Sequence, residues 1–153
     1  MDEKANEPRM RSVNSTRQSF VRFFNLSPKK VDIIWINYEG VGVTYKTLAP
    51  HEFFDISTWV SHPWIFRDNV TKDTMAVFSC DSRYARSVFL PSESMNKRKL
   101  VFITLPIYSL KERCFQVFRD LHINATNVFS LELPRILQHE YVHFLNNGGR
   151  TDG

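Results

Sequence analysis

His139, Glu140 and His143 form the pattern HExxH, which on a helix brings two imidazoles one turn apart onto a zinc ion and places the carboxylate to activate water. A small zinc-dependent hydrolase is therefore one reading of the chain. Catalytic zinc takes a third protein ligand, however, and of the ten residues after His143 only Asp152 has a suitable side chain. On a helical wheel both histidines also fall opposite the apolar stripe, where nothing orients their second ring nitrogen. Chance explains the motif better, and neither metal nor another cofactor is expected. Cys80 and Cys114 are the only thiols. Cys114 falls on an apolar stripe, where a thiol behaves as a small hydrophobe, and neither cysteine reads as a nucleophile.

With 153 residues, 42% of them hydrophobic, the chain can form one domain, or one domain with a small appendage. No apolar run reaches the roughly 18 residues of a membrane span, and the opening MDEKANEPRMR lacks the apolar core of a signal peptide. These features predict a protein of the cytoplasm and nucleus, with reduced cysteines and no membrane partner. The sequons at Asn14, Asn25, Asn69 and Asn124 then carry no glycan. The net charge of +4 is dispersed except at Lys97, Arg98 and Lys99, which read as a hairpin loop. Three charges at one turn are too weak a footprint for a nucleic-acid partner.

The elements that must hold any site change period along the chain. SFVRFF, VDIIWINY, VGVTY, FFDISTW, PWIFR, MAVFS, RSVFL and LVFIT are short β-rich runs separated by turn residues. After Pro106 the period becomes 3.6. Ser109 with Glu112 makes a capping box, so a helix begins near Leu110. Its apolar stripe is Leu110, Cys114, Val117, Phe118 and Leu121, with Phe115 pointing elsewhere, toward a second element or another chain. A shorter helix is expected over 124–131. A third, over about 134–146, has Leu133, Ile136, Leu137, Tyr141, Phe144 and Leu145 on one face. The predicted fold is mainly β with a small α domain: a seven- or eight-stranded antiparallel β-sandwich followed by a three-helix α domain. The expected divisions are a disordered segment 1–10, a β domain 11–104, an α domain 105–147 and a flexible tail 148–153. The helical part is too small to be stable alone and needs a partner.

Several blocks together resemble the von Hippel–Lindau tumour suppressor family: RSVNS at 11–15, NLSP at 25–28, Trp35 with Asn37 and Gly40, Tyr45 with Thr47 and Leu48, HPWIFRD at 62–68, and ITLPIYSLKERCFQV at 103–117. The differences between them mark a divergent, invertebrate-type orthologue. The resemblance implies a non-catalytic substrate receptor of a cullin–RING ubiquitin ligase. In the family a β domain holds a hydroxyproline-bearing segment of the hypoxia-inducible factor alpha subunit as an added strand, and an α domain binds Elongin C, itself joined to Elongin B.

By the same resemblance, Trp35, Tyr45 and Trp64 wall the proline ring, and Thr58 and His62 bond its hydroxyl. Asn14 positions the peptide backbone, and Ile56, Ser57 and Trp59 lie on the matching strand. The docking block falls on 105–121, so Leu105, Leu110, Arg113, Cys114, Phe115, Val117, Phe118 and Leu121 are the expected Elongin C contacts. Thr58 stands where the family usually has Ser, which keeps the donor and adds a methyl. Trp59, Thr16, Ser57 and Lys46 replace Tyr, Arg, His and Pro, so contacts flanking the hydroxyproline differ. No counterpart of the family's last helix, which packs back toward the β domain, can be placed, and this implies a looser domain interface.

Overall fold

The computed structural model describes residues 9–82, 84–94 and 96–147. Apart from Arg9 and Met10, the expected disordered segment and the expected tail lie outside them. Among the described residues the eight β-rich runs form eight strands: β1 Gln18–Asn25, β2 Val31–Ile36, β3 Gly42–Leu48, β4 Phe53–Trp59, β5 Trp64–Asp68, β6 Ala76–Ser79, β7 Val88–Phe89 and β8 Lys99–Thr104. They make two four-stranded sheets, ordered β4-β1-β8-β6 and β3-β2-β5-β7.

The period of two decides which residues enter the core. β1 buries Ser19, Val21, Phe23 and Asn25 and leaves the residues between them half-exposed. Val21 and Phe23 pack between the sheets with Val31, Ile33, Trp64, Phe66, Val77, Val101 and Ile103. Phe23 is central, with its ring 5.5, 5.2 and 5.6 Å from those of Trp64, Phe66 and Phe89. Burying each such side chain contributes about 1.5–3 kcal/mol. Asn25, one of the sequon residues, is wholly buried, and its amide group donates to the Lys29, Leu48 and Ala49 carbonyls.

The sandwich is not wholly antiparallel, because β1 pairs with β8 in parallel, Val21 opposite Lys99 through Asn25 opposite Ile103. A parallel pair needs a long crossover, and here the rest of the sandwich separates the two strands in sequence. Nor do Lys97, Arg98 and Lys99 form a hairpin loop. β7 and β8 lie in different sheets, so the segment between them crosses the sandwich. Lys99 ends this crossing paired with Asp81 at 2.8 Å.

Two α-helices rather than three follow among the described residues: α1 Leu110–Asp120 and α2 Arg135–Asn146. The capping box of α1 is present: Glu112 N–H donates to Ser109 Oγ, and Ser109 N–H donates to the Glu112 carboxylate. The expected middle helix is only a 3-10 turn, Asn127–Ser130. Asn124 Oδ1 accepts from the Thr126 and Asn127 amides (2.9 and 2.7 Å), and this side-chain turn takes up donors that a longer helix would use.

The orientation of α1 also departs from the wheel. Phe115, 3% exposed, faces inward onto Tyr141 and Phe144, whereas Leu110 (81%) and Leu121 (66%) face outward with Cys114 and Val117. The helix carries two apolar arcs, and packing selected the one with both aromatics, Phe115 and Phe118, which have the most area to bury. Ile136 of α2 is likewise exposed rather than on the packed face.

The helices are fastened to the strands at the β5–β6 connection. Arg119 makes a bidentate pair with Asp73, both bonds 2.9 Å, and Tyr108 Oη donates to the Thr74 carbonyl at 3.0 Å. Burial, with Asp73 nearby, pushes the Tyr108 phenol up to about 12, so it remains a donor. No helix among the described residues is long and apolar enough to cross a membrane.

Candidate functional site

Trp35 of β2 lies directly opposite Trp64 of β5, so both indoles leave the same face of that sheet. Between Ile33 and Ile34 the β2–β3 register slips: Ile33 faces Lys46 and Ile34 faces Thr44, leaving Tyr45 as the extra residue of a bulge. A bulge re-aims the side chain it carries. The Tyr45 ring accordingly leans on both tryptophans, 6.0 Å from Trp35 and 5.1 Å from Trp64, roughly perpendicular to each. Three aromatic rings thus meet at one edge of the sandwich, with Tyr45 exposed and Trp64 buried.

The polar groups come from the other sheet and from the turn that follows it. Thr58 points inward from β4 and is 2% exposed, while its neighbours Ser57 and Trp59 alternate to the opposite face. Trp64 Nε1–H donates to Thr58 Oγ1 at 3.0 Å, so the threonine hydroxyl keeps its own proton for another acceptor. Ile56, two residues earlier, packs against the core.

His62 leaves the tight turn after β4, where Ser61 adopts φ 78° and the His62 amide donates to the Trp59 carbonyl. Its ring stacks on Trp35, centroids 5.4 Å apart and planes 26° apart, and is 6% exposed. The Asn14 carbonyl oxygen, which can only accept, lies 2.9 Å from His62 Nε2. In the neutral ring the proton therefore sits on Nε2, and Nδ1 carries the lone pair. Burial pushes the imidazole below the ordinary histidine range, partly offset by the Asn14 bond, so the ring is neutral at pH 7. Thr58 is thus a donor and His62 an acceptor, the complement of a single alcohol group.

The chain before β1 crosses behind this arrangement. Ser12 accepts from Trp35 Nε1 (2.8 Å) and donates to the Ile36 carbonyl (2.6 Å), and Asn14 and Ser61 bond each other through backbone and hydroxyl. Asn14 is exposed, with its carbonyl at the His62 ring and its side-chain oxygen accepting from Thr16 Oγ1. Gly40, at φ 76°, makes room for this crossing: a Cβ there would lie 3.0 Å from Arg9 Nε and 3.1 Å from the Met10 carbonyl oxygen.

Residues 10–97 match the family model described as the VHL beta domain, more than half of the 153 residues. The chain belongs to the von Hippel–Lindau (VHL) family. It is also 29% identical over 128 residues to Protein Vhl of Drosophila melanogaster, an alignment that covers 80% of this chain and 69% of the relative. The VHL match spans β1 to β7 and every residue of the aromatic and polar cluster just described.

Of the other expected VHL site residues, Leu105, Leu110, Cys114, Val117 and Leu121 lie exposed on α1 or just beyond its ends, forming an apolar surface with Arg113 beside it. Phe115 is buried, and Phe118 packs against the same helical cluster, so neither belongs to that surface. His139 and His143 are exposed; His139 lies against the Phe129 ring, and Glu140 is ion-paired with Lys111 at 3.0 Å. Among the described residues no group of three His, Cys, Asp or Glu side chains is gathered to hold a metal. Sequence reasoning missed Ser12, Ser15, Tyr38 and Ser61. The block RSVNS holds two of them, but serines and a turn tyrosine carry no periodicity that would single them out.

Proposed function

We propose that this chain is the substrate-recognition subunit of a cullin–RING ubiquitin ligase. In this reading it binds the prolyl-hydroxylated hypoxia-inducible factor alpha subunit and, in the cytoplasm and nucleus, presents it through Elongin C, with Elongin B, for ubiquitination and proteasomal degradation. It catalyses nothing itself. The observation that carries the reading is a donor, Thr58, bonded to Trp64 and an acceptor, His62, stacked on Trp35, the two indoles that Tyr45 leans on. Flat aromatic faces suit a pyrrolidine ring and exclude water from it. The hydroxyl of hydroxyproline then accepts from Thr58 and donates to His62 Nδ1. Unmodified proline offers neither bond and leaves two buried groups unpaired, at about 1–3 kcal/mol each.

Two further features support the assignment. β4 is an edge strand, so an extended peptide has a ladder to join beside the pocket. The helical region over 105–147 leaves an apolar surface on α1, which suits Elongin C. Thr58→Val keeps the shape and removes the donor; the expected result is a tenfold or greater loss of affinity for the hydroxylated peptide, at roughly 1.4 kcal/mol per tenfold, with no change for the unhydroxylated one. An equal loss for both peptides would assign Thr58 to packing alone and remove the support for hydroxyl recognition.

A further inference from the structure

Tyr38, in the turn after β2, stands perpendicular to two pocket rings at once, at 90° to His62 (5.5 Å) and 87° to Trp35 (5.8 Å). Its hydroxyl oxygen lies 3.2 Å from His62 Nε2, and Ser15 Oγ lies at the same distance from that nitrogen. The two hydroxyls also bond each other. Three oxygens, from Asn14, Ser15 and Tyr38, therefore surround one ring nitrogen.

We propose that Tyr38 and Ser15 are positioning residues that hold the His62 ring with its proton on Nε2 and its lone pair on Nδ1, and so set the hydroxyl selectivity of the pocket. The inference rests on the proposed function for its ligand, but the tautomer itself is a property of the free protein. A proton on Nδ1 would turn the Nε2 lone pair toward the Asn14 carbonyl oxygen, an unfavourable contact between two acceptors. The bond between Ser15 and Tyr38 uses one of their two hydroxyl protons, and the other can turn to solvent because both residues are exposed. Their oxygens join the Asn14 carbonyl as acceptors for Nε2–H, while the Tyr38 ring stands against the imidazole. Neither residue needs to touch the ligand.

The test uses the full chain with nitrogen-15-labelled histidine, comparing wild type with Tyr38→Phe and Ser15→Ala. Tyr38→Phe retains the ring and loses only the hydroxyl, and Ser15→Ala breaks the same bond from an exposed position. The wild-type His62 is expected to show a protonated Nε2 and an unprotonated Nδ1 at pH 7.5. In either variant the signals should move toward a mixture of tautomers, and the ratio of hydroxylated to unhydroxylated peptide affinity should fall roughly threefold to tenfold, the loss expected from weakening one hydrogen bond. Retention of both the tautomer and the ratio in the two variants overturns the proposal. A tautomer that shifts in the variants while wild type itself discriminates no hydroxyl leaves the positioning role standing and removes the assigned ligand. A merely structural role for Tyr38 would lower both peptide affinities together with the tautomer unchanged, and that also overturns it.

Discussion

In the proposed function Thr58 and His62 meet a ligand hydroxyl with opposite polarity, because each has its other hydrogen-bonding position already engaged, Thr58 by the Trp64 indole and His62 by the Asn14 carbonyl. Protonating His62 reverses its half of the pair, turning Nδ1 into a donor. Burial holds the folded imidazole below its unfolded value, so the native protein takes up this proton less readily than the unfolded chain. The associated stability is present above about pH 6.5 and is lost as pH falls through the lower folded value. Binding should follow the same sign. Affinity for the hydroxylated peptide is expected to be level above about pH 6.5 and to decline below it, with the decline flattened in His62→Ala. The same decline in the variant would assign it to another group. At this scale the sequence was most informative where residue types are rare: two tryptophans, a tyrosine and a histidine stood out, whereas Tyr38 and Ser15 act only through the geometry of a turn and a strap.

α1 buries one apolar face and leaves a second one exposed. Phe115 lies among Val128, Tyr141 and Phe144. Phe115→Ala should therefore cost about 3–4 kcal/mol and lower the thermal midpoint of the helical region. Replacing Leu110 and Leu121 together by Ser should change stability by less than about 0.5 kcal/mol per site, because both are exposed, yet abolish capture of Elongin C in co-purification. Retained capture would place the Elongin C contact elsewhere. The helix itself was legible from Ser109, Glu112 and the apolar spacing, but its facing was not. Two apolar arcs on one wheel are distinguished only by what the remaining elements offer to pack against them. The strands were legible for a related reason, since alternation in runs such as QSFVRFFN marks a two-faced strand; alternation names no partner, and the parallel β1–β8 pairing went unforeseen.

In the whole molecule the Arg119–Asp73 clasp, beside the Tyr108–Thr74 bond, ties α1 to the strands. Asp73 is buried, and its carboxylate takes both Arg119 bonds and a third from Thr71. Arg119→Gln would leave that charge without its cation, at an expected cost of about 2 kcal/mol in urea unfolding, below the roughly 3–5 of a fully buried pair because Arg119 is partly exposed. Asp73→Asn combined with Arg119→Gln should recover part of the loss. The clasp helps set the aromatic pocket and the exposed apolar face of α1 relative to each other, which the proposed receptor role requires. Nothing in the sequence pairs residues 46 positions apart, so this contact was visible only in the folded chain. Whether the pocket reads a single hydroxyl group is decided by calorimetric titration of the wild-type chain with two peptides of one sequence, one carrying hydroxyproline and the other proline. A preference for the hydroxylated peptide of about a hundredfold or more is expected from two buried polar groups left unpaired. Equal affinity for the two peptides would contradict it.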